Sequence, residues 1–420
     1  MSFLKKTDPI MSSSGDGHIY YNILITNRNT VSTPPKMITY EQQRVSPFLY
    51  NPSDYLFSII RFSLDSCSLP IFIPTMDLSE QGNINITPGE AEPTIYSVTL
   101  TYTDPISGIT ISSGRSQVNW IPEIKSATLP NNSQYGLQDN STGYYYCMSF
   151  NWWINLCNDA LYTAFTELQT SASSNDISLP VNEPPFLTWN TDLQIVNITG
   201  LIGSETTGGY LTLAPGSTTY PDYSSINIFF NSAMFELFNS FPNIIYGYGT
   251  DVNINGSMIS GANVQVILPY NPQNVINLSN NPFDQSTTSA YIQSSQEFCT
   301  VSLWNPVTSI VFQSLKIPVN PTQAGSPYIY DGNQVLQAGN NAAIISEIVD
   351  FETSSGQYRS FINYTANVYR FIDLFGNAPL SDIDISVYWR GKDGGLFPFT
   401  LVSGGSCSIK LFFKKRSSPF

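Results

Sequence analysis

Charge is what this chain has least of. Asp, Glu, Lys and Arg make up 11% of its 420 residues, less than half the share of an ordinary soluble domain. Histidine is almost absent, with His18 the single one. Any Ser-His-Asp or Cys-His pair would have to use that residue, so nucleophilic catalysis of the usual kinds is not expected. The five cysteines, Cys67, Cys147, Cys157, Cys299 and Cys407, show no C-x-x-C spacing. An odd number of scattered thiols in a long chain fits a reducing compartment and no common zinc site. There is no G-x-x-x-x-G-K-[ST] phosphate loop, no H-E-x-x-H and no G-x-S-x-G elbow. No stretch approaches the roughly 18 apolar residues of a membrane helix, and the N-terminus MSFLKKTDPIMSSSGDG has no signal-peptide core. The expectation is a protein made in the cytosol, without membrane span, cofactor, metal or enzymatic activity.

Amide and aromatic side chains fill the space that charge leaves: 37 Asn, 25 Tyr and 25 Phe. Good helix formers are thin, whereas aromatic and β-branched residues broken by Gly, Pro and Asn suit strands and turns. A surface with few charges also buries against neighbours at low desolvation cost. The net charge of −14 argues against nucleic-acid binding by the whole surface. Basic residues nevertheless gather at the ends, Lys5 and Lys6 at one and Lys410, Lys414, Lys415 and Arg416 at the other. Such ends suit contact with a genome or an acidic partner, or they serve solubility and guard a strand edge.

Residues 1–17 read as a flexible N-terminal arm. YYNILIT (20–26) is the first strand, and YLFSIIRFSL (55–64) follows the turn signal Asn51-Pro52-Ser53-Asp54. LPIFIP (69–74) reads as a sheet edge or buried connection. In 95–103, Tyr96, Val98, Leu100 and Tyr102 alternate with Ser97, Thr99, Thr101 and Thr103, which predicts one core face and one face toward water or a partner. The apolar stripe of Phe150, Trp153, Cys157, Leu161, Phe165 and Leu168 predicts a helix over 149–170. A second, shorter helix is expected over 232–241, stopped by Pro242. Strands return at 298–303, 309–317, 344–351, 368–372 and 382–390. A hairpin signal follows at Lys392-Asp393-Gly394-Gly395, then a last strand at 406–414.

Three constellations could carry chemistry. Asp382 and Asp384 share one strand face, but solvated or strand-edge carboxylates are the plainer reading. Asp251-Val252-Asn253-Ile254-Asn255-Gly256 has the first half of an EF-hand pattern, yet Ala262 stands where a bidentate Glu belongs, so a polar β-turn is expected. Trp152, Trp153, Trp189 and Trp304 could form sugar platforms, against ordinary burial in a core.

Several segments resemble structural proteins of icosahedral DNA viruses of the polinton-like, virophage and adenovirus-like kind. They include YYNILITNRN (20–29), NPSDYLFSIIRFSLDSCSLPIFIP (51–74), NLCNDALYTAF (155–165) and PPFLTW (184–189). Further on they include ELFNSFP (236–242), SLWNPVTSIVF (302–312), YRFIDLFGNAPLSDIDISVYW (369–389) and GGSCSIKLFFKKR (404–416). The resemblance implies a jelly-roll minor capsid or penton protein, a ring of five copies at five-fold vertices with a basic end toward the particle interior. Lys410, Lys414, Lys415 and Arg416 would suit that inward end. No Arg-Gly-Asp receptor motif is present.

The fold expected is all-β, a jelly-roll β-sandwich with a large insertion, alternatively two jelly rolls. Residues 18–125 and 296–420 would form the core, and 126–295 an insertion domain containing the 149–170 helix. The function expected is that of a virion structural protein acting by self-association as a homopentamer beside neighbouring major capsid proteins, with the genome reached through the basic termini. The alternatives are a double jelly-roll major capsid protein and a spike or carbohydrate-binding attachment module.

Overall fold

A computed structural model describes residues 17–28, 36–77, 90–125, 127–130, 138–203, 208–211, 225–247, 251–254, 256–278, 289–319, 328–331, 334–337, 343–348 and 361–416. Nearly all of the expected N-terminal arm lies outside these residues. The chain forms two compact units. The first is Met1–Ile71, Asn140–Gly143 and Asn305–Phe420, and the second is Phe72–Asp139 and Tyr144–Trp304.

The first unit begins with β1 (His18–Thr26), β2 (Thr39–Gln43) and β3 (Tyr55–Asp65). The second opens with β4 (Glu92–Thr103), β5 (Ser116–Trp120) and helix α1 (Phe150–Ser174). It continues through β6 (Phe186–Asn190), β7 (Ile195–Leu201), β8 (Asn227–Phe230), α2 (Ser232–Leu237) and β9 (Asn243–Ile245). Then come β10 (Asp251–Ile254), β11 (Ser257–Ser260), β12 (Val264–Val266), β13 (Val275–Leu278) and β14 (Ser289–Ser295). The first unit resumes with β15 (Val307–Ser314), β16 (Ala343–Ile348), β17 (Phe361–Thr365), β18 (Asp382–Gly391) and β19 (Ser406–Lys415).

In the first unit eight antiparallel strands pair as β1-β19-β3-β17 and as β2-β18-β15-β16. By rank within the unit this is first-eighth-third-sixth over second-seventh-fourth-fifth, the pairing of a jelly roll. The period-2 pattern of each strand explains the layering. Phe57, Phe62 and Leu64 of β3, Ile409, Leu411 and Phe413 of β19, and Ile383, Ile385 and Val387 of β18 are all buried. The rings of Phe62 and Phe312 lie 5.3 Å apart and join the two sheets. Each such side chain contributes about 1.5–3 kcal/mol by leaving water. A register shift between Lys410 and Leu411 inserts an extra residue on β3 and keeps both strands' apolar sets inward. The anticipated hairpin is present, with Gly394 at φ +81° and Asp393 Oδ1 accepting from the Gly395 amide at 3.0 Å.

The second unit is built differently. One sheet runs β9-β12-β8-β4, with β5 also on β4, and another runs β13-β14-β7-β6. Helix α1 packs on β4 and β5 of the first sheet and β6 of the second. The eight-strand pairing order therefore occurs once among the described residues, and one jelly roll with an insertion describes the chain where two were the alternative. The helix carries the expected stripe, with Trp153, Cys157, Leu161, Phe165 and Leu168 buried. It runs four residues past 170, because Ala172 is buried and Ser173 and Ser174 return their hydroxyls to carbonyls one turn back at 2.9 Å. Asn231 caps α2 by accepting from the Met234 amide at 2.9 Å, and its Nδ2 donates to the Ile95 carbonyl at 2.7 Å, tying the helix to β4.

Several expectations need correction. Most of the Ser/Thr side of 95–103 is turned away from water, with Thr103 half-buried at its end. Ser97, Thr99 and Thr101 are buried, with Thr99 Oγ1 donating to the Ser260 carbonyl of the β10–β11 hairpin at 3.3 Å and Ser97 Oγ accepting from Arg115 Nε at 3.0 Å. Because β4 pairs with β8, it belongs to the insertion, which starts at Phe72 and not at 126, and ends at Trp304 and not at 295. Residues 298–303 are not a strand. Thr300 Oγ1 and Trp304 Nε1 both donate to the Leu237 carbonyl, at 2.6 and 2.8 Å, and draw Val301–Trp304 into a helical turn. Of the expected strand at 368–372, only Ile372 pairs as a strand.

Glu92, at the start of β4, is 7% exposed and accepts from the Tyr145 hydroxyl at 3.0 Å. Burial pushes its carboxyl above the usual range. A folded-state value above the unfolded one means stability that is full below the ordinary carboxylate range and lost as pH rises through the folded value. Glu92→Gln keeps the acceptor and removes the charge. It is expected to raise the thermal midpoint at pH 7, with the gain vanishing as pH falls below 4 in a melting series.

Candidate functional site

The four basic residues singled out near the C-terminal end are not a tail. Lys410, Lys414 and Lys415 belong to β19, which the alternation of Cys407, Ile409, Leu411 and Phe413 holds between β1 and β3. His18 pairs with Lys414, and the Lys415 amide donates to the Gly17 carbonyl at 2.8 Å. The start of β1 and the end of β19 thus share one pole of the jelly roll.

Each of the four has its own environment there. Lys414 is 3% exposed, with its ammonium 5.8 Å from the centre of the Phe371 ring. Arg416 is a staple: Nη2 meets Asp373 Oδ1 at 2.7 Å and Nε donates to the Ser53 carbonyl at 2.8 Å. Lys415 is exposed. Lys410 points out from the sheet, with its ammonium 4.8 Å from the Tyr20 ring centre. Beside it stands a cation the sequence reading missed. Arg61 of β3 is exposed and directly opposite Lys410 in the register. The only sequence signal for it was the alternation of β3, which puts Phe62 and Leu64 inward and Arg61 outward.

Charge divides sharply between the two units. The second holds 2 of the 17 basic residues, Arg115 and Lys125, and 18 of the 31 acidic ones, a formal charge of −16. The remainder of the chain, with 15 basic and 13 acidic residues, carries +2. The acidity that argued against nucleic-acid contact belongs wholly to the insertion.

The structure does not bring the other candidates together as reactive sites. His18 packs edge-on against Phe412, ring centres 5.3 Å apart. Asp384 caps the turn after β15, accepting from Ser314 Oγ at 2.6 Å and from the Leu315 and Lys316 amides at 2.9 Å each. Asp382 lies 3.9 Å from Lys316 Nζ. In the EF-hand-like segment, Asn253 Oδ1 accepts from the Gly256 amide at 3.0 Å within the β10–β11 hairpin, which is the polar turn expected, although Asn255 lies outside the described residues. Trp153 and Trp304 are buried, Trp189 stacks on Phe150 at 4.3 Å, and Trp152 Nε1 donates to the Ile121 carbonyl at 3.0 Å. Trp153 and Trp304 are thus core residues, whereas Trp152 and Trp189 are half-buried. Cys147, Cys157 and Cys407 are buried thiols, with Cys147 and Cys407 both pushed up to about 12 by burial.

Known proteins share this architecture. A chain in the cryo-EM structure of the Sputnik virophage superposes with a TM-score of 0.71 at 25% identity, over 96% of this chain and 99% of that one. The crystal structure of the mavirus penton protein matches with a TM-score of 0.53 at 14% identity, over 94% of this chain and 99% of that one. In sequence, structural protein V19 of Sputnik virophage is 29% identical over 198 residues, 46% of this chain and 82% of V19. The uncharacterised protein V18 of the same virophage is 28% identical over 173 residues, 40% of this chain and 89% of V18. The family model of the Sputnik minor capsid protein V18/19 matches residues 19–415, so this chain belongs to that family of minor capsid proteins and is a capsid structural protein.

Proposed function

We propose that this minor capsid protein is a penton: five copies ring a five-fold vertex of the virion, held there by one another and by the neighbouring major capsid proteins. The observation that carries the reading is the single eight-strand jelly roll with one large insertion. The double jelly-roll alternative would require the pairing order twice. The likeness of fold to the mavirus penton protein supports the same reading. Low charge leaves broad uncharged faces for self-association. The pole where β1 begins and β19 ends, which carries Lys415, would face the genome, with Lys410 further along β19. No enzymatic step is assigned, and no described helix is long and apolar enough to cross a membrane.

Native mass spectrometry of the purified chain tests the ring. A species of five times 46.5 kDa is expected. A trimer would move the protein to a major capsid or spike role. A monomer at micromolar concentration, unresponsive to salt and to major capsid protein, would overturn the assembly reading.

A further inference from the structure

The outer face of the β1-β19-β3-β17 sheet carries an arrangement that packing alone does not explain. Two rows cross the strands side by side. Asn22, Lys410, Arg61 and Thr365 make one, and Leu24, Ser408, Ser63 and Asn363 make the next. Neighbouring strands are about 4.8 Å apart, so the two cations are direct cross-strand neighbours, a placement that costs stability when unrelieved. Neither row contains an acid, and among the described residues neither Arg61 nor Lys410 makes an ion pair. The nearest acid along β3 on that face is Asp65, four residues from Arg61, and its Oδ1 accepts from the Cys67 amide at 3.0 Å. Tyr20 supports the Lys410 ammonium from beside, so the charge stays over the sheet. Asn22, Thr365, Ser63, Ser408 and Asn363 stand around the pair and offer the hydroxyl and amide groups that commonly complement Arg and Lys at phosphate oxygens. The face lies in the unit of +2 charge, on the strand that ends at the basic pole.

We infer that this sheet face binds the phosphate backbone of nucleic acid, with Arg61 and Lys410 as the paired anchors and Ser63, Ser408, Asn22 and Asn363 as flanking donors. The contact is independent of base sequence, since nothing in the two rows is arranged to read base edges. It deepens the reading that the basic pole faces the genome and rests on it, extending that pole along β19 onto the sheet. Charge complementarity favours nucleic acid over an acidic protein surface, because two adjacent cations with no acid in either row match a run of phosphates, while the apolar side chains on this face, Leu24 and the exposed Phe361, stand outside the cation row.

The test uses the full-length chain, a fluorescein-labelled 20-base-pair DNA duplex and anisotropy titrations from 50 to 300 mM NaCl. Arg61→Gln with Lys410→Gln is compared with wild type and with the control Lys125→Gln in the acidic unit. Loss of two phosphate contacts should lower the slope of log affinity against log salt by about 1.8 and weaken binding at least tenfold at 100 mM. Lys125→Gln should leave both unchanged, as should the native mass of every variant. Asn363→Lys, which adds a cation to the second row, should tighten binding, and it keeps the inference testable should the double variant fold poorly. Wild-type binding whose slope and strength survive the double substitution would overturn the face and leave the genome-facing pole standing. No wild-type binding at 50 mM would overturn the genome-facing reading itself. Unchanged DNA binding with a lost oligomer would assign the face to an acidic surface of a second copy and overturn the inference.

Discussion

A chain ended after Gly405 should fail to form the jelly roll. β19 is a central strand, paired along its length with β1 on one side and β3 on the other. Its removal takes Cys407, Ile409, Leu411, Phe412 and Phe413 out of the buried set and leaves two sheet edges open. Shortening one such side chain to Ala costs about 2–5 kcal/mol. Losing the whole strand therefore exceeds the ~5–15 kcal/mol that keeps a domain folded. Circular dichroism and limited proteolysis should report a first unit without protection, and sedimentation should report aggregates. The point substitution Ile409→Asp, which places an unpaired charge at a position of 0% exposure, should produce most of the same loss. A soluble, protease-resistant truncated chain would show that the register assigned to β19 is wrong.

Trp153→Ala is the second large effect, and it acts in the other unit. The indole is fully buried on α1, with ring centres 4.8 Å from Phe72 and 5.3 Å from Tyr96. It therefore joins the helix to the connection after β3 and to β4. The cavity left by alanine is expected to cost about 3–5 kcal/mol. In urea the midpoint of the second unit should fall at unchanged slope, since the surface exposed on unfolding barely changes. Trp189→Ala provides the contrast, because that ring is only half-buried and stacks on Phe150 at 4.3 Å. If its effect equalled that of Trp153, the helix would not be the organising element of the unit.

How much of this was legible in the sequence follows from what each feature depends on. The strands β1, β3, β18 and β19 and the stripe of α1 announce themselves, because a period of 2 or 3.6 is local and survives without knowledge of the partner. The resemblance of segments from 20 to 416 pointed to the capsid family that the comparisons support. Where the insertion begins was not legible. β4 alternates like a half-exposed strand, and only its pairing with β8, more than a hundred residues later, places it in the second unit. The burial of Thr99 depended on a hairpin just as distant. Lys414 and Arg416 looked like a free basic tail because charge marks surface by default, and their contacts with Phe371 and Asp373 are non-local. Arg61 was invisible for the same reason, since a cross-strand neighbour exists only once the register is fixed.

The pairing of β1 with β19 also sets a schedule. Residues 18–26 leave the ribosome long before their strand partner, 406–414. At ~5–20 residues per second this interval is about 20–80 s. During it β1, β2 and β3 are made but the sheet has no centre, while most of the inserted unit, being continuous in sequence from Tyr144 to Trp304, can be completed. The jelly roll closes only when residues 406–415 have been synthesised, so a polypeptide broken off anywhere earlier never displays the finished sheet. β19 is in this sense a check on what precedes it: a chain broken off before residue 406 cannot present the sheet whose centre that strand forms between β1 and β3.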